Sequence, residues 1–98
     1  MDIRLDGKVA IVTGGSRGIG RGIASAMAAA GAKVMITSRN EDSCAATVEE
    51  LRGETGGDLA YAAGHVGKVE DMDRVLDATL EAFGAIDVLV NNAATNPY

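Results

Sequence analysis

The segment Thr13-Gly14-Gly15-Ser16-Arg17-Gly18-Ile19-Gly20 joins a β-branched apolar run to an alanine-rich stretch. Val9-Ala10-Ile11-Val12 before it reads as a short buried strand, and Ile23, Ala24, Met27 and Ala28 after it recur at helical spacing. A strand, a glycine turn and a helix start, in that order, form an anion-binding device. The first helical turn has N–H groups with no intrahelical acceptor, and the positive end of the helix dipole points the same way. Glycine is needed there because a Cβ keeps a phosphate off the backbone, and because some turn positions need positive φ. Tight packing of strand on helix is the competing use of such a turn, so the turn alone assigns no ligand.

Spacing narrows the choice. A P-loop ends in Gly-Lys-Ser/Thr, whereas Gly18 here is followed by Ile19-Gly20. The trio G-x-G-x-x-G is also absent, and the pattern present is T-G-x-x-x-G-x-G on Thr13, Gly14, Gly18 and Gly20.

The rest of the chain repeats the same unit. Gly31 follows the first helix, and Lys33–Ser38 reads as a second strand. A second helix is expected from Glu41 to about Arg52, with Ala45, Val48 and Leu51 inward and Gly53 and Gly56-Gly57 closing it. Leu59–Ala63 reads as a third strand. Met72, Val75, Leu76, Leu80 and Phe83 form the stripe of a third helix ended by Gly84, and Ile86–Val90 is a fourth strand. The series β-α-β-α-β-α-β implies an α/β doubly wound parallel sheet with right-handed crossovers and helices on both faces. The expected strand order is 3-2-1-4, with ligand bound beyond the carboxyl ends where the order reverses. The loops carrying Gly14–Gly20, Ser38–Asn40, His65-Val66 and Asn92–Ala94 then converge on one sheet edge.

On these residues the chain resembles the short-chain dehydrogenase/reductase family in its classical subgroup, where T-G-x-x-x-G-x-G is the cofactor turn of a Rossmann-type domain. The resemblance implies a dinucleotide site built from Gly14, Ser16, Arg17, Gly18, Ile19 and Gly20, from Ser38, Arg39 and Asn40, and from His65, Val66, Asn92, Ala93 and Ala94. Asn91-Asn92-Ala93-Ala94 looks like the family's N-N-A-G motif with alanine last, while a turn capping strand 4 is the alternative role for Asn91. His65 stands where many members carry an aspartate that contacts adenine; a loop histidine with no special duty is the other reading. The His-Val-Gly-Lys and Asn-Pro-Tyr segments look like a carbonyl-reductase-like branch.

Position 38 bears on the cofactor. NAD-binding members place an acid there for the ribose hydroxyls. This chain has Ser38 followed by Arg39, with Arg17 inside the glycine turn. An acid repels the 2′-phosphate of NADP, whereas guanidinium groups grip it with charge-assisted bonds. Either arginine alone reads as a surface charge; the pair, with no acid at 38, favours NADP over NAD.

Residues 1–40 hold six basic and two acidic side chains, and residues 41–98 hold three and twelve. Basic charge gathered toward the nucleotide-facing part of an acidic chain argues against nucleic acid as a partner. No signal-peptide pattern or membrane-length apolar stretch is present, and Cys44 is the one cysteine, so a reducing cytoplasm is the expected setting. The serine, Tyr-x-x-x-Lys and helix asparagine that carry the family's chemistry have no counterpart here, since neither Tyr61 nor Tyr98 is followed by a suitable lysine. The chain therefore reads as the front part of such a domain, 1–98, ending after strand 4, and as inactive alone. An apolar edge at Val88-Leu89-Val90 invites self-association or pairing with a missing half. A nucleotide-binding or interaction module without catalysis is the alternative.

Overall fold

The structure is a computed structural model and describes residues 4–92. Its elements are β1 (Val9–Thr13), α1 (Gly18–Ala29), β2 (Lys33–Thr37), α2 (Glu41–Thr55), β3 (Leu59–Tyr61), α3 (Val69–Phe83) and β4 (Val88–Val90). All three strand pairs are parallel and the sheet order is β3-β2-β1-β4, the order expected from the repeated crossovers. Ala93, Ala94 and Tyr98 lie outside the described residues. No helix among the described residues is long and apolar enough to cross a membrane.

β1 is buried at every position because it has strands on both sides and helices on both faces. Alternation along the strands sorts its side chains into two cores. Val12, Val34 and Ile36 pack with Ala24 and Ala28 of α1, Cys44, Val48 and Leu51 of α2, and Leu59. Ile11 and Met35 point the other way, onto Val75, Leu76 and Phe83 of α3. Two alanines on the inward face of α1 bring that helix close to the sheet, which places its first turn against the end of β1.

Several expected boundaries shift. α2 runs through Gly53 to Thr55, and Gly56 ends it in the left-handed region (φ +68°). The extra turn is held because Arg21 of α1 reaches both Glu50 (3.0 Å) and Glu54 (3.2 Å). β3 stops at Tyr61, although Ala62 N–H still donates to the Ile36 carbonyl at 3.0 Å. On α3 the fully buried pair is Val75 and Thr79, while Leu80 is 49% exposed. Thr79 is tolerated inside because its hydroxyl donates back to the Val75 carbonyl at 2.7 Å, and Leu80 lies a helical step off that line.

β4 is locked to β1 at its start: Val9 N–H donates to the Asp87 carboxylate and Asp87 N–H to the Val9 carbonyl, both at 2.8 Å. Among the described residues no strand lies on the far side of β4, and Leu89 is 54% exposed.

Candidate functional site

The loops after all four strands open on the same edge and enclose a cleft of about 480 Å³. Of the residues singled out from the sequence, Gly14, Ser16, Arg17, Ser38, Arg39, Asn40, His65, Val66 and Asn92 line it. Gly18, Ile19 and Gly20 do not; they form the first turn of α1, where Ile19 is 76% exposed and Gly20 is buried. Thr13, Ser43 and Gly64 line the cleft as well, and the sequence reading did not single them out as site residues.

The glycine turn is shaped by close approaches. Gly14 and Gly18 have φ of +65° and +63°. A Cβ on Gly14 would lie 2.6 Å from the Asn92 carbonyl oxygen, and one on Gly20 would run into the Gly14 carbonyl oxygen. By contrast a Cβ on Gly18 meets nothing within 4 Å, so the backbone there faces open space. The helix that starts at Gly18 is capped by Arg17, whose side chain makes no capping bond, and its first turn holds no acid. α2 differs: Asn40 Oδ1 accepts the Ser43 N–H at 2.9 Å, and Glu41 and Asp42 sit in the first turn. Only α1, of the three described helices, combines an uncapped start with no carboxylate beside it. Its free N–H groups and dipole are therefore available to an external anion.

Around this turn the walls are tied together by hydroxyls. Thr13 Oγ1 accepts the Asn92 N–H (2.8 Å) and has the Val90 carbonyl (3.3 Å) and Asn91 Oδ1 (3.2 Å) in reach, which joins β1 to the loop after β4. The Thr47 hydroxyl donates to the Ser16 carbonyl at 2.9 Å, fixing the turn from the α2 side. Ser38 Oγ lies 3.0 Å from the buried Cys44 Sγ. Arg17 and Arg39 are exposed, line the same cleft and pair with no carboxylate among the described residues. Among the described residues no Asp or Glu lines the cleft. A polyanion with one phosphate at α1 and another at the arginines fits this arrangement, and at Gly18 no Cβ stands beside the helix start.

The loop after β3 is anchored by Asp71. Its carboxylate accepts the His65 N–H at 2.8 Å and pairs with Arg74 at 3.2 Å, and Arg74 in turn donates to the Ala63 carbonyl at 2.9 Å. The His65 N–H, against the opposing effect of partial burial and helped by Arg74 and Lys68, holds the Asp71 carboxyl below the usual carboxylate range. A carboxyl depressed in the folded state stabilises above its unfolded pKa, near 3.9, and that contribution is lost as pH falls through the lower folded value. Asp71→Asn is therefore expected to lose stability at neutral pH and to converge with the parent chain on acidification below about pH 4. Thermal melts followed by circular dichroism across that range check this; curves that stay a constant distance apart would show that the ionised carboxylate contributes nothing.

A parallel 3-2-1-4 sheet whose first crossover begins with an uncapped, glycine-walled helix start defines a Rossmann-type nucleotide-binding domain. A family model described as short chain dehydrogenase matches residues 8–97, and the chain belongs to that family of oxidoreductases. It is 42% identical over 94 residues to dehydrogenase/reductase SDR family member 4 of Caenorhabditis elegans, covering 96% of this chain and 36% of that protein. L-Sorbose reductase from Gluconobacter frateurii, solved with NADPH and L-sorbose, superposes with a TM-score of 0.91 at 37% identity, over 97% of this chain and 36% of that one. The RhlG/NADP complex from Pseudomonas aeruginosa superposes with a TM-score of 0.86 at 39% identity, over 97% and 38%. The chain thus spans about a third of the length of the curated relatives it matches.

Proposed function

We propose that this chain is the cofactor-binding part of an NADP-dependent short-chain oxidoreductase acting on a ketone or aldehyde and the corresponding alcohol. The observation that carries the cofactor choice is the pair Arg17 and Arg39, on one cleft and without a carboxylate partner among the described residues, with Ser38 in place of an acid just after β2. The complexes of L-sorbose reductase with NADPH and of RhlG with NADP support the same choice by family likeness. In this reading Gly14, Gly18, Ile19 and Gly20 present backbone to the pyrophosphate. Ser16, Arg17, Ser38, Arg39 and Asn40 take the adenosine ribose and its phosphate. His65, Val66, Asn92, Ala93 and Ala94 line the rest of the adenosine. When bound, the cofactor supplies or accepts a hydride at its nicotinamide ring. The residues of this chain bind and orient it, and a proton donor of the Tyr-x-x-x-Lys kind has to come from outside residues 1–98.

Calorimetric titration of the purified chain with 2′,5′-ADP and 5′-AMP tests the reading. The extra phosphate makes charge-assisted bonds to both arginines, so 2′,5′-ADP should bind at least about tenfold more tightly. Equal affinities would leave the NADP assignment without support, and binding of neither would remove the nucleotide reading.

A further inference from the structure

His65 is held at three points in the loop after β3. Its N–H donates to the Asp71 carboxylate at 2.8 Å, its carbonyl accepts the Lys68 N–H at 2.9 Å, and its ring Nδ1 accepts the Gly67 N–H at 2.9 Å. The first two bonds hold the main chain. The third ties a side chain that lines the cleft to the backbone two residues on. A Cβ on Gly67 would lie 3.0 Å from the ring Cε1 and 3.2 Å from Nδ1, so the imidazole rests against that peptide. The link is the imidazole counterpart of the turn in which an Asn or Asp side chain bonds the backbone two residues later.

The three bonds answer differently to a proton. A backbone N–H only donates, so Nδ1 has to offer its lone pair, and the neutral ring carries its proton on Nε2. Imidazolium bears a proton on both nitrogens and accepts nothing. Protonation therefore removes the bond to Gly67 and sets two donors face to face. Free imidazole makes that change at about pH 6.5, within the physiological range. Asp71 does not follow, because its carboxyl lies below the usual carboxylate range and is still ionised there. Among the described residues, the charged groups around this loop are Asp71 and Arg74 of α3 and Lys68 at the start of that helix, with Arg17 and Arg39 on the same cleft. Only Asp71 is anionic, and its two oxygens already hold the His65 N–H and Arg74. We propose that His65 is a proton-operated latch on the cleft wall: the neutral ring holds Gly67, and a proton on Nδ1 releases it while Asp71 keeps the His65 main chain in place. His65 and Val66 both line the cleft, so the released state changes the contour a ligand meets. The device belongs to the free chain and stands apart from the choice of cofactor.

Nitrogen-15 NMR of the full chain from about pH 8 to about pH 5, a span that brackets the titration of free imidazole, is the test. The chain has one histidine, so its ring signals are unambiguous. At the alkaline end the ring should show a bare Nδ1 and a protonated Nε2. As the ring titrates, the Gly67 amide should shift with the same midpoint and lose about fivefold of its protection against hydrogen exchange, the worth of one net hydrogen bond. The His65 amide, bonded to Asp71, should keep its protection throughout. His65→Asn supplies an acceptor that does not titrate, so its Gly67 amide should stay protected at both ends of the range. A proton on Nδ1 at the alkaline end, or a Gly67 amide that ignores the titration of the ring, would overturn the proposal whether or not the variant folds. Joint loss of protection at His65 and Gly67 would mean that the loop opens as a whole, and would overturn it too. So would a folded His65→Asn variant whose Gly67 amide titrates as in the parent chain.

Discussion

Gly20→Ala should abolish measurable NADPH binding and destabilise the chain by about 2 kcal/mol, against a helix-propensity gain of about 1 kcal/mol that would otherwise favour alanine. Gly20 is buried in the first turn of α1, and its missing side chain is the space occupied by the Gly14 carbonyl, with Asn92 Nδ2 2.7 Å from where a Cβ would sit. The nearest obstacle is backbone, so it cannot swing aside as a flexible side chain would. Relief requires α1 to lift from the end of β1 or the Gly14 turn to open, and either movement misaligns the N–H groups that face the cleft. Overpacking a tight site costs about 1–3 kcal/mol, which outweighs the propensity gain. Gly22, two residues further along the same helix, supplies the contrast. A Cβ there meets nothing within 4 Å, so Gly22→Ala should stabilise by about 0.5–1 kcal/mol and leave binding unchanged. Urea unfolding and NADPH titration of the two variants side by side decide the matter. Similar behaviour of both would mean that the turn does not depend on the contact between Gly14 and Gly20.

Arg39→Asp should reverse the order of the cofactors. Arg39 is exposed, lines the cleft with Arg17 and has no carboxylate partner among the described residues, so its charge is not spent within the protein. Replacing it by aspartate removes a charge-assisted bond worth about 1.5–3 kcal/mol and sets a carboxylate against the nearly dianionic 2′-phosphate. NADPH affinity should fall by about a hundredfold or more. NADH should gain a few-fold, because a carboxylate at the end of β2 accepts from both ribose hydroxyls. The effect should shrink at high salt, since the site is open to solvent. Dissociation constants for both reduced cofactors, before and after the change, give the answer. Unaltered values would show that Arg39 is an ordinary surface charge and would return the choice between NADP and NAD to Arg17 and Ser38.

The order of the elements was legible because each βαβ unit announces itself locally. Val9–Val12, Lys33–Thr37 and Val88–Val90 are largely apolar runs, each preceded by a glycine-containing turn, and the helical stripes are separate from them. Boundaries were less legible where tertiary contacts overrule a local stop signal. Gly53 looks like a helix end until Arg21, on another helix, holds Glu50 before it and Glu54 beyond it. In the cleft, the glycine turn and the two arginines could be found because their chemistry follows from residue type and spacing. The lining roles of Thr13 and Ser43, and the hold of Asp71 on the loop after β3, could not, because what places them is the register of β1 on β4, the capping of α2 and the phase of α3. A signal existed for two of the three: Asn40 three residues before Ser43 is a capping pair, and a carboxylate at the start of α3 is suited to the exposed N–H of the preceding loop.

Thr13 and Asn92, 79 residues apart, hold one another at the floor of the cleft, and the same asparagine walls in Gly14. During synthesis, then, the ribosome releases the glycine-rich loop long before the partner that gives it its contour. Until β4 docks, the nascent chain has a central strand with one flank bare, and the turn lacks the Asn92 wall that Gly14 packs against. The turn is consequently completed late, although it is translated well before the asparagine that closes it.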